Sequence, residues 1–143
     1  MGLKWWPREL KSGDLIRVKV GILWHYGVFV SENEVIQFGE PPLHLPRDES
    51  GIEVCTTDIT GFACGQIVEA AETGRKRIPP EKSIALARAR IGEKGYDLLH
   101  NNCEHFATEC VLGTRNCEEV NTIRKRFQDW QASHIQHKGD RNG

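Results

Sequence analysis

Cys103 lies within the stretch Asn-Asn-Cys-Glu-His-Phe at residues 101–106, where a short apolar run gives way to a segment with helical periodicity. A thiol at a helix start faces backbone N–H groups that the helix leaves unpaired, and it faces the positive end of the helix dipole. Both stabilise a thiolate, and a lowered thiol pKa is the common route to a reactive cysteine. The position therefore favours Cys103 as a nucleophile over a purely structural cysteine.

A thiol nucleophile needs a base, a third polar group that holds the base in the right tautomer, and donors for the developing oxyanion. The sequence offers His25 as the base, Gln37 as the orienting group and the backbone N–H of Cys103 as an oxyanion donor. Taken singly, a histidine in a strand is more often structural, and a lone cysteine is more often a small core residue.

A predicted hairpin brings His25 and Gln37 together. Residues 24–30 and 34–38 have strand character, and residues 31–33 form a short connection between them. With three residues in the loop, Gly27 lies opposite Gln37 and His25 falls diagonally next to Gln37 on the same face. Trp24 and Tyr26 then point to the opposite face.

The other predicted elements follow from periodicity and from proline and glycine positions. The further strands are residues 15–20, 52–54, 61–68 and 95–99. The helices are residues 81–91, 103–111 and 119–132, of which the second ends near Gly113 and the third is basic on one side. Residues 41–51, rich in proline and acidic residues, read as an irregular loop.

Length and composition limit the classes of protein. A chain of 143 residues suits one domain, expected over residues 1–132, with a polar and disordered tail over 133–143. A net charge of −1 argues against nucleic-acid binding. Five cysteines and no secretory segment predict reduced thiols in the cytoplasm, and the chain has no apolar run long enough to cross a bilayer.

Four sequence blocks resemble the lecithin:retinol acyltransferase-like family, and the likeness extends from about residue 12 to residue 127. They are Gly-Asp-Leu-Ile at 13–16, Trp-His-Tyr-Gly-Val-Phe-Val at 24–30, Val-Ile-Gln at 35–37 and Asn-Cys-Glu-His-Phe at 102–106. The last block is the specific one. The family is a circularly permuted branch of the NlpC/P60 superfamily, in which the histidine precedes the cysteine as it does here.

The resemblance implies an α+β, papain-like fold with an antiparallel β-sheet packed by helices, and a thiol that takes an acyl group from a phospholipid ester as a thioester. By position, Cys103 matches the nucleophile and His25 the base. Many members carry a second histidine where this chain has Gln37, and a glutamine amide can still orient an imidazole as a neutral acceptor.

Other residues of these blocks receive secondary roles. Trp24, Tyr26 and Asn102 flank the predicted base and nucleophile, so we expect them to contact substrate. His105 sits two residues after the thiol on the same helix start, which points it away from the sulfur and indicates a supporting role.

The expected partner is a phospholipid or another acyl donor, without a cofactor or metal. The C-terminal residues are charged, so any membrane contact is expected to be peripheral, through Trp5, Trp6 and the basic segment at 124–130.

Three alternatives remain at this stage. One is a cysteine amidase or peptidase of the wider superfamily, which uses the same three groups. Another is a non-catalytic binding module that kept the fold, which Gln37 makes worth considering. A metal site built from cysteines and histidine fits poorly, because the spacings between Cys103, His105, Cys110 and Cys117 match no regular zinc motif.

Overall fold

A computed structural model describes residues 3–40, 51–74, 76–97 and 102–114. Six strands form one antiparallel sheet in the order β1-β6-β2-β3-β4-β5. The strands are β1 (Lys4–Trp6), β2 (Asp14–Val20), β3 (Leu23–Ser31), β4 (Glu34–Phe38), β5 (Val54–Thr57) and β6 (Glu69–Glu72). The helices are α1 (Ile59–Ala63), α2 (Pro80–Ala89) and α3 (Cys103–Leu112). The sheet and its helices confirm the predicted α+β fold.

The two faces of the sheet carry separate apolar clusters, because neighbouring side chains along a strand point to opposite faces. On the first face, Tyr26 and Val28 of β3 belong to the same cluster as Phe106 and Val111 of α3. On the second face, Phe29 belongs to a smaller cluster with Phe62 of α1. The sheet therefore separates α3 from α1.

The predicted register of the central hairpin is confirmed, since Gly27 pairs with Gln37 across β3 and β4. The connection differs in detail. Ser31 pairs with Glu34, which leaves a two-residue turn, and a bulge between Phe29 and Ser31 adds one residue to β3. The bulge restores the pairing that a three-residue loop would give.

Close packing around Gly27 leaves no room for a side chain. A Cβ added at Gly27 would lie 2.8 Å from Cε1 of Phe62 and 3.1 Å from the carbonyl oxygen of Ile36. The absence of a side chain at Gly27 thus lets Phe62 of α1 pack against β3, beside His25.

The strand predicted at 61–68 is wrong. Its first three residues belong to α1, and the strand starts later, at Glu69. Asp58 explains the helix, because its side chain accepts a hydrogen bond from the Gly61 N–H at 2.7 Å and caps the first turn. Cys64 then takes a left-handed conformation, with φ of 51°, and ends the helix.

Two further strand predictions need correction. The strand predicted at 52–54 lies at Val54–Thr57, and of the strand predicted at 95–99 the described part contains only a single bridge, at Asp97. Residues 98–101 fall outside the described ranges, as do residues 41–50 of the loop predicted at 41–51, the predicted helix at 119–132 and the predicted tail at 133–143.

Helix α2 begins with Pro80, as the prolines predicted, and it buries Ser83 and Ala87. Ile91, the last residue of the predicted helix, lies beyond the end of α2 and is 46% exposed. Arg77 fixes the start of α2 by donating to the Gly13 carbonyl and to Oγ of Ser83, each at 3.0 Å. Helix α3 ends at Gly113, whose φ of 83° suits glycine.

Candidate active site

His25 and Gln37 form a buried pair on the second face of the sheet, each 1% exposed. The His25 Nε2 and the Gln37 Oε1 are 2.9 Å apart. An amide oxygen can only accept, so Nε2 carries the proton and Nδ1 bears the lone pair. Nδ1 is buried and has no hydrogen-bond partner. The imidazole therefore presents one nitrogen that is able to accept a proton.

Burial lowers the pKa of His25 to about 4, and the hydrogen bond with Gln37 opposes this change. The ring packs against Phe62, with the two ring centroids 5.2 Å apart, so one side of the imidazole is apolar. At neutral pH the ring is uncharged, which is the state that a general base requires.

Cys55 is the thiol that the structure places beside this pair. It lies opposite Gln37 in the pairing of β4 with β5, and the Gln37 Nε2 donates to its sulfur at 3.7 Å. Burial raises the pKa of the Cys55 thiol, which keeps it protonated at neutral pH. Cys55 was not among the predicted site residues, because the predicted strand ended at residue 54. Alternation through 54–57 is the only signal that could have shown it.

Cys103 is the first residue of α3 and is 5% exposed. Asn102 caps the helix, since its Oδ1 accepts from the backbone N–H groups of Glu104 and His105, both at 3.0 Å. The Nδ1 of His105 accepts in return from the Asn102 N–H at 3.2 Å. This capping box gives His105 the supporting role that its position predicted. The substrate contact predicted for Asn102 remains a prediction.

Cys103 packs on the first face, in the cluster that contains Tyr26 and Val28. His25 alternates with Tyr26 along β3 and therefore points to the second face, and neither of its ring nitrogens is hydrogen-bonded to Cys103. The structure thus brings His25 and Gln37 together, as predicted, but it does not join Cys103 to them by a hydrogen bond.

Trp24 and Tyr26 line the first face next to Trp5, which packs against the core. The Arg17 guanidinium lies between two indoles, 4.3 Å from the ring of Trp5 and 3.7 Å from that of Trp24. Trp5 meets Tyr26 edge to face, with the ring centroids 5.7 Å apart. Contact of Trp24 and Tyr26 with substrate remains a prediction.

The described ranges contain no group of three or more histidine, cysteine, aspartate or glutamate side chains placed to hold a metal ion. None of their helices is long and apolar enough to span a bilayer.

The lowered pKa of His25 predicts a dependence of stability on pH. His25 takes up a proton near pH 6.5 in the unfolded chain, whereas its pKa in the folded chain is about 4. Between these two pH values the unfolded chain therefore binds more protons than the folded chain. The free energy of unfolding should therefore fall as the pH drops through this window, by about 3 kcal/mol for this group, and level off below it.

Urea unfolding of the wild type and of His25→Gln at several pH values measures this effect, because the variant lacks the titrating ring. The stability of the wild type relative to the variant should decline from pH 6.5 to 4. Parallel curves for the two proteins would contradict the assigned burial and neutrality of His25.

Comparison with known proteins gives the family. Residues 8–119 match the family model described as lecithin retinol acyltransferase. The chain is 24% identical over 125 residues to phospholipase A and acyltransferase 4 of Homo sapiens, covering 79% of this chain and 76% of that protein. It is 26% identical over 153 residues to lecithin retinol acyltransferase of Homo sapiens, covering 86% of this chain and 66% of that protein.

Phospholipase A and acyltransferase 1 of Rattus norvegicus is 29% identical over 128 residues, covering 81% of this chain and 76% of that protein. These relatives are named as acyltransferases and phospholipases, at identities near one quarter. The family match extends over most of the chain, from before β2 to beyond α3. The protein therefore belongs to the lecithin retinol acyltransferase family.

Proposed function

We propose that the protein is a thiol-dependent acyltransferase or phospholipase-like hydrolase that forms a thioester on Cys103 from a lipid ester. The observation that carries the proposal is the buried imidazole of His25, whose Nε2 is held by Gln37 while Nδ1 has no partner. A structural histidine normally satisfies both nitrogens when it is buried. A general base needs one nitrogen fixed and the other available.

The chemistry has two halves. The sulfur of Cys103 attacks the ester carbonyl carbon while the thiol proton passes to Nδ1 of His25, and the leaving alkoxide then takes that proton. In the second half, water or an acceptor alcohol or amine attacks the thioester and regenerates the thiol. The N–H groups at the start of α3 suit the transient oxyanion.

Gln37 limits how strongly this base can act. Its neutral oxygen fixes the tautomer but supplies no negative charge to stabilise an imidazolium, so it only partly offsets the burial that lowers the pKa of His25. His25 is therefore expected to take the thiol proton of Cys103 during attack on the ester.

Acylation requires the Cys103 sulfur to come within hydrogen-bond reach of Nδ1 of His25. Catalytic hydrogen bonds are often long in ligand-free enzymes and tighten when substrate binds.

A non-catalytic binding module is the second candidate. The missing hydrogen bond between Cys103 and His25 favours it, because such a protein could keep the fold without assembling the three groups. Cysteine amidases of the wider superfamily would use the same groups on an amide bond.

Release of fatty acid from a short-chain phosphatidylcholine, measured beside an analogue with an amide in place of the ester, tests the proposal. We expect hydrolysis of the ester and little or none of the amide. Cleavage of the amide alone would favour an amidase, and cleavage of neither would favour the binding module.

Gln37→Ala should slow ester hydrolysis by roughly tenfold to hundredfold, because His25 loses the group that fixes its tautomer. The loss is expected to be smaller than the ~10⁴-fold cost known for a charged orienting residue. Gln37→His is the matched control, since an imidazole nitrogen can accept the same hydrogen bond, and it should retain activity. Unchanged activity in a folded Gln37→Ala protein would remove Gln37 from the site.

A further inference from the structure

The two most exposed large apolar side chains of the described residues lie at the same end of the sheet. Ile22, in the turn between β2 and β3, is 87% exposed, and Ile67, just before β6, is 71% exposed. The pairing of Arg17 with Glu69, continued along the two strands, places Ile67 level with Lys19. Both isoleucines thus project near the tip of the β2–β3 hairpin.

The two chain segments that carry these isoleucines are mostly apolar. Val20, Leu23 and Val68 are half-buried beside them. Within residues 18–24 and 63–68 the only charged side chain is Lys19. The nearest acidic residue along β6, Glu69, is already paired with Arg17 at 2.9 Å.

Trp24 completes the surface. It lies opposite Lys19 in the pairing of β2 with β3, and the Lys19 ammonium is 4.9 Å from the centre of its ring. An indole beside a lysine at the edge of an apolar patch suits the headgroup level of a membrane, where apolar rings and cations are both favourable.

We propose that this end of the sheet is a membrane-docking surface, with Ile22 and Ile67 inserted among acyl chains and Lys19 on anionic headgroups. Exposed isoleucines with a lysine and an indole at their edge suit the surface of an anionic bilayer. The surface differs from the contacts expected from sequence, because Trp5 packs on the core and Trp6 donates from Nε1 to Glu72.

The docking surface lies close to His25, and its role in catalysis rests on the proposed function. His25 is the third residue of β3 and lies three residues after Ile22 in the turn, a distance of about 10 Å at the usual rise per residue. Docking of the hairpin tip would therefore hold the catalytic base close to the ester groups of bound phospholipid.

Vesicle cosedimentation tests the docking surface without reference to catalysis. The probes are vesicles of equal parts phosphatidylcholine and phosphatidylserine, and vesicles of phosphatidylcholine alone. We expect the double variant Ile22→Asp/Ile67→Asp to lower partitioning onto both by about tenfold or more. Lys19→Glu should weaken binding only to the vesicles that contain phosphatidylserine. The matched control is Leu86→Asp, at a residue of α2 that is 38% exposed, and it should bind as the wild type does.

Three results would overturn the docking surface: no binding by the wild-type protein, equal loss in the Leu86→Asp control, or unchanged vesicle binding in the double variant. If the double variant instead converts a wild-type dimer to a monomer and leaves vesicle binding intact, the surface joins two copies of the chain.

Hydrolysis rates on monomeric substrate and on vesicles show whether the docking surface or the proposed function is wrong. The double variant should hydrolyse monomeric short-chain phosphatidylcholine at the wild-type rate and lose activity only on vesicles. Conversely, Cys103→Ala should bind vesicles normally while releasing no fatty acid. Loss of activity on monomeric substrate in the double variant would contradict a role confined to docking.

Discussion

Cys103→Ala should abolish fatty acid release from short-chain phosphatidylcholine, with a rate at least about 10⁴-fold below that of the wild type, because no other atom in the proposed mechanism can form the thioester. The thiol is small and lies at the first residue of α3, so the alanine protein should fold with an intact helix. Steady-state hydrolysis, with the circular dichroism spectrum and the melting temperature as checks on folding, measures the effect.

Cys55→Ser is the matched control for this experiment. Cys55 is the thiol that touches Gln37, so it is the alternative nucleophile that the structure itself offers. Its serine variant should retain most of the activity. The opposite pattern, with loss in Cys55→Ser and activity kept in Cys103→Ala, would move the nucleophile to β5.

His25→Gln should lower hydrolysis by about 10²–10⁴-fold, the usual contribution of a positioned general base. Since the pKa of His25 is lowered to about 4, protonation of this group should not limit the wild-type enzyme until the pH approaches that value. The acid limb of kcat/KM, which reports the free enzyme, should therefore fall near pH 4 and not near pH 6.5.

The rate at which iodoacetamide alkylates Cys103 tests whether His25 acts as a base or is merely structural. If His25 assists loss of the thiol proton, His25→Gln should slow alkylation of Cys103 and leave that of the exposed Cys64 unchanged. A folded His25→Gln protein with full hydrolytic activity would contradict the role of His25.

The hairpin could be predicted because its register depends on local features. Alternation along β3 and β4 and the short connection between them fixed His25 next to Gln37, and the hydrogen bond between the two side chains agrees. The helical start at Cys103 was equally local, since the asparagine before it and the glycine after Leu112 are the cap residues of α3.

The relation between the hairpin and α3 could not be predicted in the same way. The sheet face that a helix covers depends on long-range packing, and Tyr26 and His25 occupy opposite faces of one strand. The helix at Ile59–Ala63 was missed because its short apolar pattern suits a strand as well, and the cap supplied by Asp58 decided the outcome.

Cys55 was missed because the bounds predicted for one strand were wrong by a few residues. A strand shifted from 52–54 to Val54–Thr57 places this thiol opposite Gln37. Cys55 therefore belongs to the polar cluster around His25. The sequence alone did not predict that it would.

Intact-protein mass spectrometry after incubation with a short-chain phosphatidylcholine tests the central claim most directly. The proposed mechanism predicts a covalent acyl adduct that peptide mapping places on Cys103, that hydroxylamine removes, and that is missing in Cys103→Ala. An adduct on another cysteine, or turnover without any acylated protein, would contradict the assignment of Cys103 as the nucleophile.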